Sequence, residues 1–204
     1  MHALSRRMLA VASLALLCVA SPTWAQETFR VRGTIDRIDG PIFVVKTRDG
    51  AELKLAVTDK PLFVAMVKAT VADIKPGMFV GSTAMPQADG SLRAVEVHIF
   101  PEAMRGTGEG HRAWDLRPQS TMTNANVEQT VAGVDGQTLT VKYKDGEKKL
   151  IVAADTVVVT YATGDRSELK PGVGIFVAAA EKRPDGTLLT PRITYGKGGL
   201  IPPM

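Results

Sequence analysis

The strongest constraint in this chain is that it carries the same pattern twice. Residues 31–50 align on 127–146 without a gap, at a shift of 96. Val31, Thr34, Asp39, Gly40, Val45, Lys46, Asp49 and Gly50 meet Val127, Thr130, Asp135, Gly136, Val141, Lys142, Asp145 and Gly146. Lys75-Pro76-Gly77 then meets Lys170-Pro171-Gly172 at a shift of 95, and Asp89-Gly90 with Leu92 meets Asp185-Gly186 with Leu188 at 96 again. All six Asp-Gly dipeptides fall into these three matched pairs. Asp-Gly suits tight hairpins because both residues tolerate positive φ. A duplicated set of hairpin turns points each copy to antiparallel β-structure.

The stretches between the turns agree. Leu139, Val141 and Tyr143 alternate with Thr138, Thr140 and Lys142, the period of a half-buried strand. Phe43, Val45 and Thr47 are the matching face in the first copy, and Leu53, Leu55 and Val57 make a third strand after Asp49-Gly50. Leu150 and Val152 do this in the second copy. Near Thr70 the pattern changes: Thr70-x-x-Asp73 and Asp165-x-x-Glu168 each set a capping residue three places before an acid, which starts a helical turn. Lys-Pro-Gly stops that turn, and two more strands follow, near 78–84 and 92–100, then 173–180 and 188–195. Five strands with a helical segment between the third and fourth is the element order of an OB-type barrel.

On the opening strand, the Asp-Gly turns and the Asp73-Ile-Lys-Pro-Gly and Glu168-Leu-Lys-Pro-Gly elements, both copies resemble small periplasmic OB-like β domains of a bacterial family of unknown function. That resemblance implies an all-β protein of two tandem five-stranded OB-like barrels, each with a short helical segment between strands 3 and 4. The expected units are 26–100 and 127–204, with an inter-repeat segment at 101–126. These motifs are turn and cap chemistry, so the resemblance brings no catalytic residues with it.

The first 25 residues read as a secretory signal: Arg6-Arg7, an apolar run from Met8 to Ala20, and Thr23-Trp24-Ala25 with small residues at the cleavage positions. The mature chain is expected to begin at Gln26 and to lie in the periplasm. The apolar run is too short to span a bilayer as a helix, and no later run is long enough, so no stable membrane span is expected after cleavage. Cys18 is the sole cysteine and lies in the signal. The mature chain therefore has no disulfide, thiol nucleophile or cysteine metal site. Losing Arg6 and Arg7 lowers the formal charge from +4 to +2. With aromatics at 5%, that leaves little phosphate attraction and few stacking platforms, and nucleic acid is not an expected partner.

The segment 101–126 resembles neither copy. Long connections of this kind are functional or disordered. Its centre holds Met104, Arg105, His111, Arg112, Trp114, Asp115 and Arg117, with glycines at 106, 108 and 110. Those glycines allow close backbone approach or an anion-binding nest. A Walker loop is excluded by their spacing and by the lack of a downstream Lys-Ser/Thr. One reading has Trp114 plugging a seam between barrels while Arg112 and Arg117 pair with acids. The other makes Arg105, His111, Arg112, Trp114, Asp115 and Arg117 a binding surface.

Met104, His111 and Met122, with Trp114 beside them, form an alternative soft-metal set, since thioethers suit Cu(I). Methionine also fills irregular apolar gaps, and these spacings match no metal motif. His98 shares a strand face with Glu96, and a solvated pair is expected there. Lys142, Lys144, Lys148 and Lys149 form a basic hairpin, expected as a solvated edge. Asp115 and Glu109 near His111 come with no nucleophile motif. The sequence thus leads to an exported, non-catalytic, cofactor-free module that engages a periplasmic or envelope protein or a small ligand through the inter-repeat segment.

Overall fold

The computed structural model of the chain describes residues 28–133 and 136–204. The expected signal segment, the expected cleavage position and Asp135 lie outside the described residues. The protein is all-β, with a closed five-stranded barrel and further strands. Twelve strands follow in chain order: β1 (Thr28–Asp39), β2 (Ile42–Thr47), β3 (Glu52–Ala69), β4 (Phe79–Pro86), β5 (Leu92–Ile99), β6 (Gly110–Ala113), β7 (Thr121–Gly133), β8 (Gly136–Tyr143), β9 (Gly146–Ala153), β10 (Val157–Thr163), β11 (Gly174–Lys182) and β12 (Leu188–Gly196). Among the described residues no helix is long and apolar enough to cross a membrane.

The Asp-Gly turns sit where their chemistry places them. Gly40 and Gly50, at φ 60° and 89°, close the β1–β2 and β2–β3 hairpins. Gly90 and Gly186, both at φ 83°, close β4–β5 and β11–β12. In these turns the aspartates also work as side-chain acceptors: Asp89 takes the backbone N–H of Ser91 at 3.0 Å and Asp185 that of Thr187 at 2.9 Å.

The expected helical segments are single 3-10 turns of three residues, Val71–Asp73 and Arg166–Glu168. Asp73 accepts from both the N–H and the hydroxyl of Thr70, each at 2.8 Å, and Asp165 accepts from the N–H of Ser167 at 2.7 Å. Gly77 and Gly172, at φ 84° and 90°, then turn the chain before a second helical turn can form.

Five strands close into the barrel in the order β1-β2-β3-β12-β11, with β11 returning to β1. The closing pair is parallel, Leu188 against Leu55 through Gly196 against Met66. Val31, Ile35, Phe43, Val45, Leu55, Ile175, Val177, Leu188 and Ile193 fill its interior. The strands β4, β5, β9, β8 and β7 pair in a second circuit, whose β5–β9 contact is short: Leu92 with Leu150 and Arg93 with Ile151. Val80, Leu92, Val97, Val127, Leu139, Val141, Leu150 and Val152 form its core. Strand β10 lies between β3 and β5 and joins the two circuits into one sheet.

The repeats of sequence are therefore not the units of strand pairing. Each circuit takes three strands from one copy and a hairpin from the other. Strand β3 is also longer than the sequence pattern marked, 18 residues against Leu53 to Val57. Its second half runs on past Pro61 to pair with both β12 and β10, and the hairpin β4–β5 lies beside β7 rather than beside β1. Gly77 donates to the Val127 carbonyl and Gly172 to the Ile35 carbonyl, fixing both crossings.

Candidate functional site

The inter-repeat segment is ordered, and it builds a wall. A 3-10 turn at Glu102–Met104 leads into β6, which pairs antiparallel with the start of β7, from Gly110 against Asn124 to Ala113 against Thr121. Arg105 pins the turn: its guanidinium donates to Glu102, to the side-chain oxygen of Asn126 and to the Gly77 carbonyl. Trp114 follows β6 and lies over the seam between the circuits. Its ring packs beside Met122, Phe176 and Met204, and the Arg30 guanidinium stacks 4.1 Å from the ring centroid. Asp115 anchors this stack through ion pairs to Arg32 at 2.6 Å and Arg30 at 3.3 Å. The Arg32 hydrogen bond, then both guanidinium charges, hold its carboxyl below the usual carboxylate range.

Beneath Trp114 the seam opens into a cavity of about 340 Å³. Its walls come from β5, β6, β7, β10, β11 and β12, so both copies and the segment between them contribute. The apolar surface is Phe100, Met104, Trp114, Met122, Tyr161, Phe176 and Met204; the polar groups are His98, Arg112, Asn124, Arg192 and three threonines. This volume falls at the lower end of small-molecule sites, roughly 300–1,000 Å³.

One wall contains a buried acid–imidazole pair. His98 Nδ1 lies 3.1 Å from Glu96 Oε2 and 3.2 Å from Oε1, and Oε1 also accepts from the backbone N–H of Thr83 at 2.9 Å. Glu96 is 0% exposed and His98 2%, so the expected solvated pair is instead interior. Alternation along β5 explains this: Val97 points into its circuit, while Glu96 and His98 point into the seam, which the other circuit covers. The sequence shows the alternation but not what covers its polar face.

The ring of His98 is packed edge-on against Phe100 and Tyr161, at centroid distances of 4.8 and 5.7 Å. Burial, with the Glu96 carboxylate nearby, pushes the Tyr161 phenol strongly up, so this hydroxyl stays protonated. Gly81 is the floor under His98. A Cβ there would lie 2.0 Å from Nε2 of His98 and 2.5 Å from Oδ1 of Asn124, so only glycine admits both groups. Two buried polar atoms of the cavity residues lack hydrogen-bond partners, Asn124 Oδ1 and Trp114 Nε1.

Of the sequence-chosen residues, Arg112 and Trp114 line this cavity, and Asp115 braces the Arg30–Trp114 stack from outside it. Arg105 is committed to holding the segment. His111 is elsewhere: its Nδ1 lies 2.8 Å from the Thr123 hydroxyl and its ring stacks toward Tyr143. Arg117 borders a separate hollow with Met85, Arg93 and Asp155. The expected pairing of Arg112 and Arg117 with acids is not found among the described residues; Asp115 takes Arg30 and Arg32 instead.

Met104 and Met122 do meet at the cavity, without His111. Among the described residues no group of three or more His, Cys, Asp or Glu side chains could hold a metal ion. Phe100, Asn124, Tyr161, Phe176, Arg192 and Met204 escaped the sequence reading, and His98 entered it only as half of a solvated pair. They sit on six separate stretches of chain and share no spacing; the one local signal was an acid and a histidine two apart within a mostly apolar strand.

Comparison with known proteins brings no match: no family profile, no curated protein and no solved structure resembles the chain at a significant level.

Proposed function

We propose that this protein is an exported, non-catalytic binding module of the periplasm, built from OB-type units, whose ligand is a small molecule held in the seam cavity. The observation that carries this reading is the cavity itself: apolar walls, a few convergent polar groups, and two buried polar atoms left without partners. The inter-repeat segment supplies Met104, Arg112 and Trp114 to the wall, which accounts for a connection that resembles neither copy. Native mass spectrometry of protein purified from periplasm without chelators tests it. A chain mass beginning at Gln26 with a small organic adduct, lost in Trp114→Ala, is the expected result. Bare protein from every preparation, with no small molecule in a denaturing extract, overturns it.

A second reading is favoured by one observation. Met104, Met122 and Met204 surround the same cavity as His98, whose Nδ1 is already held by a carboxylate, the arrangement that orients a metal-ligating imidazole. A bound soft metal ion in the same spectrum, lost when Met104 and Met122 become leucine, would establish it in place of the first.

A further inference from the structure

We propose that the ligand of the seam cavity is an amphipathic organic anion, its apolar body against Trp114 and Phe176 and its charged head on Arg112 and Arg192. This inference rests on reading the cavity as a ligand site and adds the chemical class of the occupant.

The charge balance of the wall is one-sided. Its lining residues include Arg112, Arg192 and His98 but no aspartate or glutamate. Two neighbouring carboxylates are committed: Glu96 accepts from His98 and Thr83, and Asp115 is shared between Arg30 and Arg32. Arg112 and Arg192 form no ion pair among the described residues. Arg112 donates only to the Gly108 carbonyl, at 2.8 Å, and its guanidinium lies 5.6 Å from the Trp114 ring centroid. Partial desolvation and the neighbouring Arg30 both lower its pKa, the mark of a cation short of counter-charge.

Cations held beside an apolar surface without a carboxylate favour a ligand that brings the negative charge. Guanidinium groups give an oxyanion charge-assisted hydrogen bonds, which are shorter and stronger than neutral ones. Asn124 Oδ1, the unpartnered acceptor, suits an N–H or O–H on the body. A purely apolar ligand would leave all of these groups unanswered, and a cation would meet two arginines.

A matched pair of fluorescent probes tests this on the whole mature chain: 8-anilinonaphthalene-1-sulfonate and N-phenyl-1-naphthylamine, the same aromatic body with and without the sulfonate. One probe per chain is expected, with the sulfonate bound about tenfold more tightly or better, as charged hydrogen bonds imply. Arg192→Gln and Arg112→Gln, on separate strands, should each remove that preference while the neutral probe binds as before. Equal affinity for the two probes in the unmutated chain overturns the anion class and leaves the cavity reading standing. So do arginine variants that weaken both probes alike. If neither probe binds, or if Trp114→Ala leaves both unchanged, the cavity reading itself fails and this inference goes with it.

Discussion

Glu96 Oε2 lies 3.1 Å from Nδ1 of His98, two residues further along β5, and neither side chain reaches solvent. Placing an acid and an imidazole on one strand face is a local matter. Burying them is not: it takes the five-stranded barrel, packed across the seam from the circuit that holds β5, to exclude water from that face. Once water is gone, each group depends on the other. Truncating one partner, His98→Ala, should cost about 3–5 kcal/mol, because an uncompensated carboxylate remains inside. Replacing both, Glu96→Leu with His98→Leu, should recover most of that loss. Urea melts of the three proteins measure it; a double variant no more stable than the single one would contradict the paired account.

Gly81 sits under the same ring. Gly81→Ala should destabilise by about 1–3 kcal/mol, since the new methyl would drive His98 and Asn124 off their positions. Gly90→Ala is the control at a turn with open space around it. Its cost arises from positive φ alone and should not alter ligand binding, whereas Gly81→Ala should weaken binding as well.

Trp114 is both a wall and a plug. Trp114→Ala should lower stability by about 2 kcal/mol, less than a fully buried tryptophan because the ring is only partly covered. Ligand or probe affinity should fall further than stability does. Trp114 is the only tryptophan among the described residues, so in a chain beginning at Gln26 its emission reports occupancy directly. An unchanged emission spectrum on saturation would place the ligand elsewhere.

His111 gives a pH dependence with a definite sign. Partial burial, then Lys148 and Arg112, lower its folded-state pKa below the ordinary histidine value of about 6.5. The unfolded chain therefore takes up this proton at higher pH than the folded one. The contribution is fully present above about pH 6.5 and is lost as pH falls through the folded-state value. His111→Gln should flatten stability against pH in that window, on top of any pH-independent change from losing the Thr123 and Tyr143 contacts. The group is partly exposed, so the effect is small, and melting temperatures at low salt resolve it best. Identical slopes in the two proteins would remove His111 from the account.

The exchanged hairpins predict how the chain behaves when divided. Residues 26–105 lack β11 and β12, and residues 106–204 lack β4 and β5, so neither half can close a circuit. Each should be largely unfolded alone, and an equimolar mixture should regain β-structure as a heterodimer. Circular dichroism and sedimentation distinguish this from a half that melts cooperatively by itself, which would show that hairpins can close within one copy.

Much of this architecture was legible locally. The Asp-Gly turns, the phase of strands such as Leu139–Val141–Tyr143, and the stop at Lys-Pro-Gly follow from residues a few places apart. The site was legible only in part. Trp114 and Arg112 stood out as unusual residues in a segment outside the repeat, and both line the cavity. Tyr161, Phe176, Arg192 and Met204 did not, since their common property is to face one space from separate parts of the chain.

Duplication, strand order and turn positions are short-range properties, set by φ preferences, capping and the two-residue period of a strand. Ring closure depends on pairings such as Leu55 with Leu188, where the chain gives no local instruction and hydrophobic burial with sheet geometry selects the partner. The same long-range choice exchanged the hairpins and placed Glu96 and His98 inside. It also left Arg112 and Arg192 beside an apolar cavity with no acid to meet them. The cavity exists only where two copies cross, which is why its chemistry emerged in three dimensions alone.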